Sequence, residues 1–290
     1  MFSIFRAAPA AALGLALTLG LVGCSDSAQS SSADATSSPE SGASSAPGNS
    51  SPAVESVAVA ELPQGDDPVD LEPADFTTEI DNPYWPIKPG TRWTYREIDE
   101  EGRKVKVVVI VTRMTKKIAN GITARVVRDT VSADGALIED TFDWYAQDSE
   151  GNIWYMGEDT AEFENGKIKT RKGSFEAGVD GALPGIAMPA DPQPGLAYRQ
   201  EYYKGEAEDN GEVLSTEEMA EVPFGRFDGV LLTKDTITIE PDVLEYKLYA
   251  KGVGPVLVFG VSGGGGREEL INKDKARKDA GTGPLGTPNP

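Results

Sequence analysis

Turn dipeptides set the frame for this chain. Glu101-Gly102, Asn120-Gly121, Asp134-Gly135, Glu150-Gly151 and Asn165-Gly166 place glycines 19, 14, 16 and 15 residues apart. Asn-Gly and Asp-Gly accept the positive φ of tight hairpins, so each marks a reversal after roughly one strand's length. Between the turns, residues alternate with period two. In 136–146 the even positions Ala136, Ile138, Phe142, Trp144 and Ala146 are apolar, broken by Asp140, while Glu139, Thr141 and Asp143 are polar. Tyr246, Leu248 and Ala250 alternate in the same way with Glu245, Lys247 and Lys251. Residues 106–112 (KVVVIVT) form a β-branched run suited to a central strand. Gly225, Asp228-Gly229, Gly252 and Gly254 continue the punctuation. No stretch keeps a helical period beyond two turns. The expected fold class is all-β: a single-domain antiparallel meander of roughly ten strands, as a curled half-barrel, barrel or sandwich.

Composition then removes whole classes of chemistry. The 290 residues include no histidine, which excludes Ser-His-Asp and Cys-His nucleophiles and His-ligated zinc. A single cysteine excludes an intrachain disulfide. With 27 basic against 47 acidic residues, the net charge of -20 excludes nucleic acid as a partner, since phosphate binding needs a basic surface.

The first 23 residues read as a targeting segment. Arg6 is the only early charge, and 7–22 is an apolar run too short for a comfortable membrane span. Leu21-Val22-Gly23-Cys24 at its end resembles the bacterial lipobox. That resemblance implies cleavage before Cys24, thioether-linked diacylglycerol and fatty acylation (palmitate) on it, and a place as a lipoprotein on the extracytoplasmic side of the cell membrane. Two or more acyl chains give stable anchoring where one does not. Residues 24–70 follow as the lipidated cysteine and a tether, with thirteen serines between positions 25 and 60. Such a segment buries too little apolar area to offset its ordering entropy and is expected to be disordered, spanning on the order of 35–40 Å. The β domain is expected over 71–272, and 273–290 as a loose tail.

Asp143-Trp144-Tyr145-Ala146-Gln147-Asp148, followed by Gly151-Asn152-Ile153-Trp154-Tyr155-Met156-Gly157-Glu158, resembles the signature of an uncharacterised family of secreted bacterial proteins. Pro83-Tyr84-Trp85-Pro86 and residues 200–209 are similar to the same family. The resemblance spans about residues 75–272 and brings no activity, substrate or catalytic residue. Biased composition also resembles that of high-GC Gram-positive sources, which implies an anchor in the outer leaflet of a single membrane.

Three kinds of residue are left to carry a site. Carboxylates are abundant: Asp143, Asp148, Glu158, Asp159, Glu176, Asp180, Glu201, Glu206, Glu208 and Asp209. Paired, they could run a hydrolase, but spacing alone brings no two together. For a hard cation such as calcium (Ca2+), the candidates are Asp148, Glu150 and Asn152, and Glu206, Glu208 and Asp209, although neither cluster has EF-hand spacing. No other cofactor is indicated. The glycine run 263–266 lacks the Lys-Ser/Thr ending of a phosphate loop, and the Pro/Gly-rich stretch 178–192 suits an ordered cover over the core.

Aromatic pairs are the third kind. In Trp144-Tyr145 and Trp154-Tyr155, one ring must face each side of the sheet, and Tyr202-Tyr203 adds a further pair. These six are the candidate ligand-binding residues for a lipid, glycan or peptide on a curved sheet. The leading expectation is a membrane-anchored, non-enzymatic lipoprotein that binds an apolar or amphipathic ligand. A structural or protein-interaction module of the cell envelope is the alternative, and a carboxylate hydrolase the third.

Overall fold

A computed structural model describes residues 61–99, 102–264 and 266–287. Cys24, the targeting segment and most of the tether lie outside the described residues. The strands are β1 (Phe76–Thr77), β2 (Thr91–Ile98), β3 (Lys104–Lys117), β4 (Thr123–Ala133), β5 (Ala136–Asp148), β6 (Ile153–Glu164), β7 (Lys167–Thr170) and β8 (Phe175–Glu176). They continue as β9 (Leu183–Met188), β10 (Ala197–Arg199), β11 (Glu201–Tyr202), β12 (Asp209–Val222), β13 (Gly225–Ile237), β14 (Glu240–Ala250), β15 (Gly254–Ser262) and β16 (Arg267–Lys275). Among the described residues there is no α-helix, only a 3-10 turn at Pro73–Asp75.

All sixteen strands join one antiparallel sheet, in the order β10-β12-β13-β14-β15-β16-β2-β3-β4-β5-β6-β9-β11, with β1, β7 and β8 added at its sides. The two ends of that path are neighbours in the chain. β10 pairs with β12, β11 pairs with β9, and only Gln200 separates them. A single segment thus changes partner at Gln200 and all but closes the sheet into a barrel. Closure removes the open edges that a sheet of this size would otherwise expose. At this seam Gly185 lies against the Gln200 backbone so closely that an added Cβ would sit 2.4 Å from its carbonyl carbon.

The barrel wears a second layer. At the seam, residues 62–69 form a strap held by Arg199, whose side chain is completely buried. Its Nε donates to Pro184 O at 3.0 Å, and its Nη1 donates to Gly65 O at 2.7 Å and Asp67 O at 2.8 Å. The Arg199 backbone N–H donates to Pro63 O. These residues, read with the tether, belong structurally to the barrel.

The expected loose tail is also pinned. β16 runs past 272 to Lys275, and Ala280 is buried. Arg128 Nη1 donates to Gly283 O at 3.1 Å, and Gly286 N–H donates to Asp140 Oδ2 at 2.7 Å. Composition suggested a loose end there. Two buried charges on the barrel wall hold it instead.

Register decides which face is inside. Along β14, Glu245, Lys247 and Tyr249 stand opposite Asp235, Thr233 and Leu231 of β13, and all six are buried. Asp143 and Tyr145 of β5 stand opposite Val127 and Arg125 of β4. The period of two is as expected, yet in β5 and β14 the more polar set turns inward. Phe142, Trp144, Tyr246 and Leu248 take the outer face.

Candidate functional site

The inward face gathers carboxyl groups and tyrosines. Regular pleating would send Tyr155 and Glu158, three residues apart, to opposite sides of the sheet. A β-bulge prevents this: Tyr145 pairs with Tyr155 and Asp143 with Glu158, so β6 spends one extra residue over that step. Gly157 makes the bulge with φ +126, and an added Cβ would lie 2.3 Å from Phe175 O. Tyr155 and Glu158 therefore both reach the interior.

The Tyr155 hydroxyl lies 2.8 Å from Asp143 Oδ1 and 2.7 Å from Glu158 Oε2. A phenol has one proton to donate, so both contacts are hydrogen bonds only when one carboxyl is protonated and donates back. Burial, reinforced by the Asp143 charge, lifts Glu158 to about 7 and makes it the proton holder. The Tyr145 and Tyr155 rings stack at 5.1 Å, and Trp85 meets Tyr145 edge-on at 5.2 Å. Phe175 covers the far side of Tyr155 at 5.6 Å. Burial raises the interior tyrosines Tyr95, Tyr145, Tyr155, Tyr198 and Tyr249, keeping them neutral.

Glu201 and Asp209 interact across the seam. Burial lifts Asp209 to about 7, and burial with the Asp209 charge raises Glu201. Both are half-buried. Beside them, Lys247 Nζ sits 2.9 Å from Asp235 Oδ2 and 3.2 Å from Glu245 Oε2. Burial opposes the lysine charge, but Asp235 and Glu245 outweigh it and raise its pKa. Burial lifts Glu245 to about 7 despite that lysine. Gln200 Nε2 donates to Asp235 Oδ2 at 3.1 Å, while its own Oε1 is buried without a donor.

The candidate residues read from sequence divide differently. Tyr145 and Tyr155 are in this cluster. Trp144 and Trp154 face outward and are themselves covered, Trp144 under Lys116 Nζ at 4.4 Å and Trp154 against Phe76 at 6.2 Å. Tyr202 and Tyr203 are half-buried at the seam.

The six acidic and amide candidates for calcium also fall apart. Asp148 accepts from Glu150 N, Asn152 N, Asn152 Nδ2 and Trp154 Nε1 within 2.7–3.0 Å, so its oxygens tie the β5–β6 turn. Glu206 is exposed, Glu208 accepts from Gly205 N at 2.8 Å, and Asp209 alone turns inward. Among the described residues no three acidic groups are placed to hold a metal ion.

The sequence offers Asp143, Glu158, Glu201 and Asp209 only among ten carboxylates and joins none of them, and it does not place Asp235, Glu245 and Lys247. The available signal was the polar half of each alternating strand, which a barrel can turn inward as readily as outward.

No protein-family model matches the chain, and a search of curated proteins finds no match either. Among solved structures, a Parabacteroides distasonis protein provisionally described as a lipoprotein is 12% identical, with a TM-score of 0.33. The likeness covers 66% of this chain and 98% of that one.

Proposed function

We propose that this protein is a membrane-anchored, extracytoplasmic lipoprotein, acylated at Cys24, whose barrel takes up an amphipathic ligand. What supports the binding reading is the gathering of Gln200, Glu201 and Asp209 at the seam of a nearly closed barrel. Neighbouring tyrosine and tryptophan rings offer apolar faces beside these polar groups. The anchoring reading is supported by the placement of Leu21-Val22-Gly23-Cys24 after the apolar run.

Two measurements test the proposal. Mass spectrometry of the wild type is expected to show diacylglycerol and acyl mass on Cys24, and Cys24→Ala to lose both. Native mass spectrometry of the full chain, followed by lipid extraction, is expected to find one amphipathic molecule per protein. A membrane-bound, unacylated Cys24→Ala protein overturns the anchor; a chain that neither carries nor takes up any amphiphile overturns the binding.

A second reading, a carboxylate hydrolase, draws on the raised Glu158 and Asp209. Against it stands Tyr155, whose hydroxyl fills the gap between Asp143 and Glu158 that a scissile bond would need.

A further inference from the structure

Lys247 is an amine buried against two carboxyls. Its side chain is 3% exposed, and those of Asp235 and Glu245 are 2% exposed. The other lysine ion pairs among the described residues, at Lys116, Lys169 and Lys234, leave about a third or more of the lysine side chain in water. Hydration keeps such surface pairs charged. A dry pair is different, because holding two ions out of water is costly and an amide made from the same atoms carries no charge. Exclusion of water also removes the reactant that would hydrolyse that amide.

The contacts around Asp235 suit attack on its carboxyl carbon. Lys247 Nζ lies 2.9 Å from Asp235 Oδ2, so Cγ is one bond further, and 3.2 Å from Glu245 Oε2. Thr233 Oγ1 donates to Asp235 Oδ1 at 2.9 Å, and Gln200 Nε2 donates to Oδ2 at 3.1 Å. Both donors are 1% exposed. Register holds the group together. Thr233 stands opposite Lys247 and Asp235 opposite Glu245, so the lysine meets its carboxyl on the diagonal between β13 and β14. Fixing amine and carboxyl at this range makes a bimolecular condensation effectively unimolecular.

We propose that Lys247 and Asp235 join in an intramolecular amide bond, formed without a cofactor, with Glu245 carrying the proton between them. One ammonium proton passes to Asp235 Oδ2, and the freed Nζ lone pair bonds to Cγ. The charge that develops on Oδ1 is met by the Thr233 hydroxyl. Nζ then gives a second proton to Glu245, which returns it to Oδ2. The Cγ–Oδ2 bond breaks and one water leaves. The third proton stays on the amide nitrogen, Glu245 ends as it began, and nothing is oxidised or reduced. The lysine's raised pKa opposes loss of its proton to solvent, whereas these transfers stay within the buried group. Glu245, lifted to about 7 by burial, is a stronger base than an ordinary carboxylate. In a chain whose single cysteine excludes an intrachain disulfide, the bond would tie β13 covalently to β14.

The test is a tryptic map of the purified full chain after overnight incubation in its folded state at neutral pH. An unmodified chain is cut after Lys234, Lys247 and Lys251. An acylated Lys247 is not a trypsin site, so the bonded chain is expected to give 235–251 as one peptide, lighter than its sequence by one water. Fragmentation is expected to place the closed ring between Asp235 and Lys247. Lys247→Arg is expected to give every peptide at full mass. Glu245→Gln is expected to slow bond formation by roughly 100-fold while melting cooperatively.

A wild-type chain cut at Lys247, with its peptides at full mass, overturns the proposal, and that result stands even if Glu245→Gln does not fold. Water lost instead at an Asp-Gly step such as Asp134-Gly135, with Lys247 still cut, is a succinimide and overturns it as well. A bond that forms equally fast in folded Glu245→Gln overturns the role of Glu245 and keeps the crosslink.

Discussion

Arg128 and Asp140 grip each other on the outer wall of the barrel, with Arg128 Nε donating to Asp140 Oδ1 at 2.8 Å and Nη2 to the second oxygen. Both are buried, 1% and 0% exposed. The pair is buried because residues 281–287 lie over it and bond to both partners. Removing one partner strands the other charge. Arg128→Met is expected to destabilise the fold by roughly 3–5 kcal/mol. It should also free the chain end, read as faster tryptic cleavage after the exposed Arg277 and Lys278. Unchanged cleavage with unchanged stability would show that the tail is held otherwise.

The interior carboxyls make stability fall as pH rises. Glu158, Asp209 and Glu245 are lifted to about 7 in the folded chain by burial, above their ordinary range of about 4–4.5 when unfolded. A raised folded-state pKa contributes most stability below the unfolded value, and that contribution is lost as pH climbs through the folded one. Urea midpoints are therefore expected to drop between about pH 5 and pH 8, with up to roughly 3 kcal/mol for each group. Glu158→Gln should flatten part of that slope. A midpoint that rises steadily across this window would contradict the protonated interior.

Gly157 is the joint of the bulge. Gly157→Ala brings a Cβ within 2.3 Å of the Phe175 carbonyl at φ +126. The expected cost is about 3 kcal/mol or more. Because the bulge places Glu158 beside Tyr155, the variant should also weaken the pH dependence described above. Full stability in a melting experiment would mean that β8 can move away from β6 at little cost.

Arg199 is expected to be the main anchor of the strap, beside the Gln64 Nε2 bond to Ala197 O at 2.6 Å. Arg199→Leu leaves Pro184, Gly65 and Asp67 carbonyls without their donor and is expected to destabilise by about 2–4 kcal/mol. Hydrogen exchange should rise selectively over 62–69 and at the seam. Uniform protection in the variant would assign the strap's hold to other contacts.

The strand content of this chain was legible because it depends on short-range rules. Asp134-Gly135 and Asn165-Gly166 turn the chain with positive φ at both residues of each pair, as their types favour. Period two was legible for the same reason, but period does not say which face is enclosed. Glu245 and Lys247 look like a solvated face until β13 brings Asp235 opposite them. The acid cluster was hidden for a further reason: its members are far apart in sequence, and Gly157 shifts the phase of β6 by one residue. Trp144 and Trp154 were read as ligand-facing because nothing local announces that Lys116 and Phe76 lie over them. Nor does the composition of 276–287, with its three glycines and two threonines, announce its hold on Arg128.

The strap gives the barrel a mechanical polarity. Whatever restrains the chain ahead of Glu61 transmits its load first to residues 62–69, and so to the Arg199 hydrogen bonds at Gly65 and Asp67. Those bonds sit at the seam, where the wall changes partner at Gln200 instead of continuing as a ladder. Under tension a long ladder shares force among many hydrogen bonds, whereas this clamp takes it on a few. A pull on the N-terminal side would therefore yield at the seam before any long hairpin lost its register, and it would do so beside Gln200, Glu201 and Asp209.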